Sequence, residues 1–220
     1  MPRDRRRSTT SPGDCLTVSL SIIVPTLGRP TLHATLHSIA TQLDWCDQVI
    51  VVADPEGDVN QATATLNRVA GADRRWVYAE AESDGAGVGG AQRTLGMTFA
   101  TGTHLAFIDD DDTYRRGALD LIRDAACDRP VIFRMQHPRL NAVPTAPRLA
   151  YGDVGTPCFV VPNERDALGE WVAHLPGGSG ADFTFIAGCV ERMGEPVWRN
   201  EVIATVRPHE CEEIGEQDAA

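Results

Sequence analysis

The sequence has few basic residues for its length, with 20 lysines and arginines against 31 aspartates and glutamates and a formal charge of -11 over 220 residues. Proteins that bind nucleic acid through its phosphates need a basic surface, which this composition does not supply. General nucleic-acid binding is therefore excluded. The surplus of carboxylates is instead compatible with binding of a metal cation.

Paired cysteines and long apolar runs are also missing. The six cysteines are widely separated and form no CxxC pair, so neither a cysteine zinc site nor a dithiol redox motif is indicated. The longest apolar runs have the length of strands, well short of the ~20 residues of a membrane-spanning helix. Residues 1–15 are basic and rich in Ser, Thr and Pro, and no apolar segment of the secretory type follows them. We expect a cytoplasmic protein with a disordered basic tail (1–15), a single domain (16–210) and an acidic tail (211–220).

Strand and helix patterns alternate through the first half of the chain. β-branched apolar runs are followed in turn by stretches with helical spacing, which is typical of a mostly parallel sheet with helices on both faces. The predicted strands are 16–24, 48–53, 75–79 and 103–108, and the predicted helices between them are 31–43, 59–69 and 91–100. In such α/β sheets, ligands bind outside the carboxyl ends of the strands.

The second half is less regular, and we expect it to be a mixed half of strands and helices. The stretch 136–151 shows no clear period. The predicted strands are 131–135, 157–161 and 197–206, and the predicted helices are 116–126, 164–174 and 179–193.

Four consecutive aspartates, residues 109–112, follow the fourth predicted strand. Two unit charges about 4 Å apart near a protein surface repel by roughly 4 kcal/mol, so such a cluster favours a compensating cation. Oxygen ligands favour Mg²⁺, Mn²⁺ or Ca²⁺ over zinc or copper. In an extended chain Asp109 and Asp111 would point to one side and the other two aspartates to the opposite side.

A glycine-rich loop over 85–90 contains the spacing GxGxxG. A dinucleotide-binding loop of that type directly follows the first strand, whereas this loop follows the third. A dinucleotide site is therefore not indicated, although the loop and the helix after it remain candidates for contact with a phosphate or a sugar.

Four segments together resemble the GT-A-fold glycosyltransferases of family 2. Residues 21–29 resemble the opening strand and Pro-Thr-x-x-Arg loop of that family, and 49–54 its second strand with a terminal aspartate. Residues 90–96 are similar to its Ala-Arg-Asn-x-Gly helix start, and 107–112 to its DxD-bearing strand end. The resemblance implies a GT-A, Rossmann-like sheet whose donor-binding half spans 16–114 and whose acceptor half spans 115–210.

The resemblance also implies roles for individual residues. It places a nucleotide-diphosphate sugar against the first half of the chain, with Asp54 accepting a hydrogen bond from the base, and UDP is the favoured nucleotide. The ion implied is Mn²⁺ or Mg²⁺, with Asp111 and His209 as its ligands. The residues expected to contact the nucleotide-sugar are Pro25, Thr26, Arg29, Asp54, Arg93, Asp109 and Asp110.

An inverting transferase of this kind also needs a base that takes a proton from the acceptor hydroxyl. Asp182, which follows the glycine-rich stretch 177–180 and opens a predicted helix, is the candidate. A carboxylate in the first turn of a helix also stabilises the helix dipole, and that simpler role remains open. Asp153 is the weaker alternative as the base.

The function implied is that of a metal-dependent inverting glycosyltransferase that moves a sugar from a nucleotide-diphosphate donor to an acceptor hydroxyl. Two alternatives stay open: a catalytically degenerate relative that binds a nucleotide or carbohydrate, and a sugar nucleotidyltransferase. The acceptor is not identified by the sequence, and saccharides, lipid-linked intermediates, small metabolites and protein side chains all remain candidates.

Overall fold

A computed structural model of the protein describes residues 18–82, 89–172 and 180–210. Both predicted tails and most of the glycine-rich loop 85–90 lie outside the described residues. Within these ranges the chain forms eight strands and five α-helices. The strands are β1 (Leu20–Thr26), β2 (Gln48–Ala53), β3 (Trp76–Glu80), β4 (His104–Phe107), β5 (Thr113–Tyr114), β6 (Val131–Gln136), β7 (Phe159–Pro162) and β8 (Val197–Thr205). The helices are α1 (Leu32–Ala40), α2 (Val59–Ala70), α3 (Gly90–Phe99), α4 (Ala118–Ala125) and α5 (Ala181–Met193).

All eight strands belong to one mixed sheet with the order β3-β2-β1-β4-β7-β6-β8-β5. The first four strands are parallel, β7 is antiparallel to both β4 and β6, and β8 is parallel to β6. The predicted α/β class, with a parallel first half and a mixed second half, is confirmed. Because β6 and β8 run in the same direction as β4, their carboxyl ends lie at the same edge of the sheet as those of β1, β2 and β4.

The centre of the sheet is built from apolar residues that are buried on both faces. Every residue of β1 and of β4 is buried, as a strand covered by helices on both sides requires. Helix α3 lies directly on β1, and Gly96 makes this close approach possible. A Cβ at that position would come within 2.6 Å of Ile23 Cγ2, so a larger residue would force the helix away from the strand.

Two local predictions from the sequence differ from the structure. The expected helix over 164–174 is wrong as far as the described residues reach, because only a short 3₁₀ turn, Arg165–Ala167, forms there. The chain beyond it bonds to α5 instead of to itself: the Gly169 N–H donates to Cys189 Sγ (3.1 Å), and Arg192 donates to the Leu168 carbonyl (2.6 Å). The two-residue strand β5, which pairs with β8, was not predicted.

No helix within residues 18–82, 89–172 and 180–210 is both long and apolar enough to cross a membrane.

Candidate active site

A cavity of about 590 Å³ opens at the edge of the sheet where the parallel strands end. Residues from both halves of the chain line it. All of the predicted site residues except His209 are among them: Pro25, Thr26, Arg29, Asp54, Arg93, Asp109, Asp110, Asp111 and Asp182. His209 is exposed, beyond the end of β8, and is not part of this lining.

Asp110 holds the loop that follows β1. Its buried carboxylate accepts hydrogen bonds from the Thr26 hydroxyl (2.7 Å) and the Leu27 N–H (3.0 Å), and it pairs with Arg29 (3.2 Å). Both carboxylate oxygens are therefore engaged by groups of the chain itself. Asp110 lines the cavity, but its contacts make it the residue that shapes the loop after β1.

Gly28 allows the same loop to approach the loop after β2. It has φ of +73°, and a Cβ there would lie 2.1 Å from the Asp58 carbonyl oxygen, so only glycine fits without a shift of the backbone. The Gly28 N–H donates to Thr26 Oγ1 at 2.8 Å, which fixes the hydroxyl that Asp110 also binds. The Pro-Thr-x-x-Arg segment is thus rigidly placed before any ligand binds.

The four aspartates form a turn instead of an extended run. The Asp112 N–H donates to the Asp109 carbonyl at 3.1 Å, which closes the turn directly after β4. Carboxylate oxygens of Asp109, Asp111 and Asp112 consequently lie within 4.8 Å of one another, while Asp110 points to the loop after β1. The prediction that Asp112 would face away from Asp109 and Asp111 is wrong, because it assumed extended backbone. An all-oxygen set of three carboxylates fits Mg²⁺ or Mn²⁺.

The electrostatics of this turn favour a cation. Burial, and next the Asp109 carboxylate, raise the pKa of Asp111 above its ordinary value and that of Asp112 well above it. Arg29 lies 3.0 Å from Asp111, and the Arg207 N–H donates to Asp112 at 3.0 Å. The pKa values of both carboxyls stay raised despite these partners, first because of burial, so a further positive charge would stabilise their ionised forms.

Arg93 is the buried cation of the cavity. It pairs with Asp109, and its guanidinium lies 4.8 Å from the centre of the Trp171 ring, which is itself stacked on Phe185 at 4.2 Å. Burial acts to lower the pKa of Arg93, but Asp109 and Asp182 outweigh it and raise that pKa above its ordinary value. Arg93 is therefore a fixed positive charge. The chain contains no lysine, so every such charge is an arginine, the side chain suited to two-point binding of phosphate oxygens.

Asp54 directly follows β2. It is buried and lines the cavity near the carboxyl ends of β1 and β2. One of its oxygens accepts from the Glu56 N–H at 2.9 Å and the other from Gln92 Nε2 at 2.7 Å. A carboxylate has about four lone-pair positions, so Asp54 can still accept a hydrogen bond from a ligand N–H. Gln92, 1% exposed, was not predicted as a site residue; it holds the carboxylate in place.

Asp182 is the second residue of α5 and the acidic residue in its first turn. A backbone hydrogen bond from Thr156 supports its carboxylate. Burial is the largest influence and raises the pKa of Asp182 above its ordinary value, while the positive charge of Arg93 opposes that rise. A carboxylate with a raised pKa that faces a polar cavity has the properties of a general base.

Two further cavity residues were missed by the sequence analysis. His137 follows β6 and Arg207 follows β8. The Arg139 N–H donates to His137 Nδ1 at 3.1 Å, and burial, with the nearby Arg207 and Arg139, lowers the pKa of His137, which favours the neutral form of the ring. The rule that ligands bind at strand ends identifies both residues, but only once β6 and β8 are known to run parallel to β4.

Comparison with known proteins matches the chain to a family, and the solved structures that resemble it include those of S. aureus TarS. The family described as glycosyl transferase family 2 matches residues 21–171. The crystal structure of S. aureus TarS 1-349 has 19% sequence identity and a TM-score of 0.65, over 89% of this chain and 63% of that one. The structure of TarS 1-349 in complex with UDP has 18% sequence identity and a TM-score of 0.65, over 89% of this chain and 63% of that one. The structure of its complex with UDP-GlcNAc has 17% sequence identity and a TM-score of 0.62, over 86% of this chain and 58% of that one.

The chain thus spans less than two thirds of the TarS chains that it matches. At these identities the likeness shows the fold, which is that of GT-A glycosyltransferases. No curated protein matches the chain significantly.

Proposed function

The chain belongs to glycosyl transferase family 2, and from this premise we propose that it transfers a sugar from a UDP-sugar to an acceptor hydroxyl, with inversion and with the help of Mn²⁺ or Mg²⁺. The observation that carries the proposal is the meeting, in one cavity, of Asp109 and Asp111 from the carboxylate triad, of three arginines and of Asp182. The complexes of the TarS structures with UDP and with UDP-GlcNAc support the choice of nucleotide.

The base of the nucleotide would bind beside β1 and β2. Asp54, held by Gln92, would accept the imide N–H of uracil, a hydrogen bond that adenine cannot donate from the same position. Pro25 and Thr26, the last residues of β1, next to the loop that Asp110 and Gly28 fix, would contact the nucleotide from the other side.

The diphosphate would bind at the aspartate turn. Asp109, Asp111 and Asp112 would supply the carboxylates that hold the cation, and Arg29, which lies 3.0 Å from Asp111, would contact the phosphates. The bound cation would supply the positive charge that stabilises the departing diphosphate. Arg93 would add a second, permanent positive charge beside Asp109. The proposed ion site rests on these carboxylates because their oxygens lie within 4.8 Å of one another, whereas His209 is exposed beyond the end of β8 and does not belong to that cluster.

Asp182 would act on the acceptor. As the acceptor oxygen forms its bond to the anomeric carbon, the bond from that carbon to the diphosphate breaks, and its electron pair leaves with the diphosphate. The proton of the acceptor hydroxyl passes to the Asp182 carboxylate. A positioned base of this kind contributes about 10²- to 10⁴-fold to rate. The division into a donor half (16–114) and an acceptor half (115–210), and the cytoplasmic location, stay predictions.

The proposal is tested by UDP release from UDP-GlcNAc, UDP-glucose and UDP-galactose in the presence of Mn²⁺, with GDP-mannose as the comparison for the base. We expect release from at least one UDP-sugar, its loss with EDTA, and an inverted anomeric configuration in the product by NMR. Release from none of them in the presence of a mixed pool of acceptors, together with tight UDP binding, would instead identify a binding protein. A retained configuration would contradict inversion.

A further inference from the structure

A second, smaller cavity of about 240 Å³ shares Gly180 and Asp182 with the first. We propose that this second cavity is the acceptor subsite and that it takes a single pyranose ring of a saccharide acceptor. The inference rests on the proposed function, because it assigns Asp182 the role of base between the two cavities. It identifies a substrate class that the sequence left open.

Asp182 is the residue that connects the two cavities chemically. Asp182 is among the residues that line both, and Gly180, the cap residue of α5, also lines both. An acceptor hydroxyl that enters from the second cavity meets the carboxylate before it reaches the donor in the first. Holding the two reactants on either side of one base is the kind of positioning that lowers the entropic part of a reaction barrier.

The walls of the second cavity are mainly apolar and include two aromatic rings. Tyr151 and Phe183 meet edge to face, with ring centres 6.0 Å apart and 69° between the ring planes. Tyr151 is 60% exposed although it is a large side chain, and Met135 and Val154, which also line the cavity, are buried. A pyranose has one face of C–H groups that packs on such rings, while its hydroxyls remain at the edge for Asp182.

The size of the cavity limits what it accepts. Pockets for drug-sized ligands occupy about 300 to 1,000 Å³, so a cavity of about 240 Å³ suits one ring and leaves the rest of an acceptor outside. The step is the one described above: the ring hydroxyl gives its proton to Asp182, its oxygen bonds to the anomeric carbon, and the diphosphate leaves with the electron pair. No further reactant is needed.

Tyr151 differs from Trp45, another exposed aromatic residue, in lining the second cavity. Trp45 is 78% exposed and lies between α1 and β2, at the opposite edge of the sheet, where it lines neither cavity. Tyr151 and Trp45 therefore form a matched pair of positions for an experiment. Tyr151 is exposed beside Asp182, and Trp45 is exposed far from it.

The experiment is saturation-transfer NMR with the full chain, UDP and Mg²⁺, using the methyl glycosides of glucose, galactose, mannose and N-acetylglucosamine as probes. Glycerol serves as a polyol without a ring. We expect transfer to the C–H protons of at least one glycoside and none to glycerol. Tyr151→Ala and Phe183→Leu should each raise the half-saturating concentration of that glycoside by about three- to tenfold. Tyr151→Phe, which keeps the ring, and Trp45→Ala should leave it unchanged.

Calorimetry of UDP with the same variants separates this inference from the proposed function. We expect the Kd of UDP to be the same in Tyr151→Ala as in the native chain. Saturation transfer to none of the four glycosides, equal transfer to glycerol, or unchanged binding in both Tyr151→Ala and Phe183→Leu would overturn the pyranose subsite. Absence of UDP binding in the native chain would instead overturn the proposed function.

Discussion

The two halves of the sheet bring different kinds of residues to one cavity. The parallel strands β1 to β4 end in charged groups that are already held by partners, such as Asp54 by Gln92 and Asp110 by Thr26. The mixed half contributes Asp182, whose pKa is raised by burial, and the second cavity beside it. The charged half, whose side chains are already held in place, suits a nucleotide, which has the same charged groups in every donor. The half with apolar walls suits the acceptor, which differs from one transferase to another. We therefore expect first-half variants to change nucleotide binding and second-half variants to change transfer.

The largest effect is expected from Asp182→Asn. Loss of the base should lower the rate of transfer by about 10²- to 10⁴-fold and leave the Kd of UDP unchanged. Steady-state rates and calorimetry measure the two quantities. Asp153→Asn, the same change at another carboxylate of the second half, is the control and should keep the native rate. Equal rates in Asp182→Asn and the native chain would remove Asp182 from the mechanism.

Asp111→Asn should have the next largest effect, and this effect should be on the binding of UDP. Loss of a carboxylate from the triad should weaken the Mn²⁺-dependent binding of UDP by at least about 10- to 100-fold, since even outer partners of metal sites have effects of that size. Calorimetry with and without Mn²⁺ measures it. Asp120→Asn, at an exposed aspartate on α4, is the control. If Asp111→Asn bound UDP as the native chain does, the triad would not be the ion site.

Asp110→Asn should act on stability. The carboxylate accepts from Thr26, Leu27 and Arg29. Asparagine keeps one carbonyl oxygen that can still accept, so about one charge-assisted hydrogen bond is lost and the free energy of unfolding should fall by about 2 kcal/mol. Urea unfolding measures it. Asp111→Asn provides the comparison, because removing a carboxylate from a crowded cluster should not lower stability. A larger loss of stability in Asp111→Asn than in Asp110→Asn would reverse the roles assigned to the two neighbours.

Trp171→Leu tests a contact that joins the halves. Without the ring under Arg93 the guanidinium loses a cation–π partner, and the affinity for UDP should fall by about fivefold. Trp171→Phe keeps a ring there and should lose less. The thermal midpoint of both variants is measured alongside, since each also loses packing against Phe185. Equal UDP affinity in Trp171→Leu and the native chain would show that Arg93 does not depend on this ring.

The smallest expected effect is a gradual dependence of the transfer rate on pH. Asp182 must be ionised to act as base, so the rate should fall as the pH drops through its pKa and reach half of its maximum there. Because burial raises that pKa, the acidic limb of the profile should lie above the value of about 4 that an unperturbed aspartate has. A limb at or below that value would contradict the burial of Asp182 in the working enzyme.

The sequence predicted the first half of the molecule well and the second half only in part. The alternation of strands and helices up to β4 depends on local periods, which are visible in the sequence, and that alternation placed Thr26, Asp54 and the four aspartates at one edge. The direction of β6 and β8 depends on long-range pairing, so His137 and Arg207 were missed. The place of Asp112 was missed for another reason: a turn closed by one backbone hydrogen bond changed which carboxylates meet.

The central claim is that the cavity at the ends of the parallel strands binds a uridine diphosphate together with a divalent cation. Calorimetric titration of the native chain with UDP, GDP and dTDP, each with Mn²⁺ and with EDTA, tests it most directly. We expect binding of UDP that depends on Mn²⁺ and that is tighter than the binding of GDP. Binding of none of the three, or binding of UDP that is as tight in EDTA as in Mn²⁺, would contradict it.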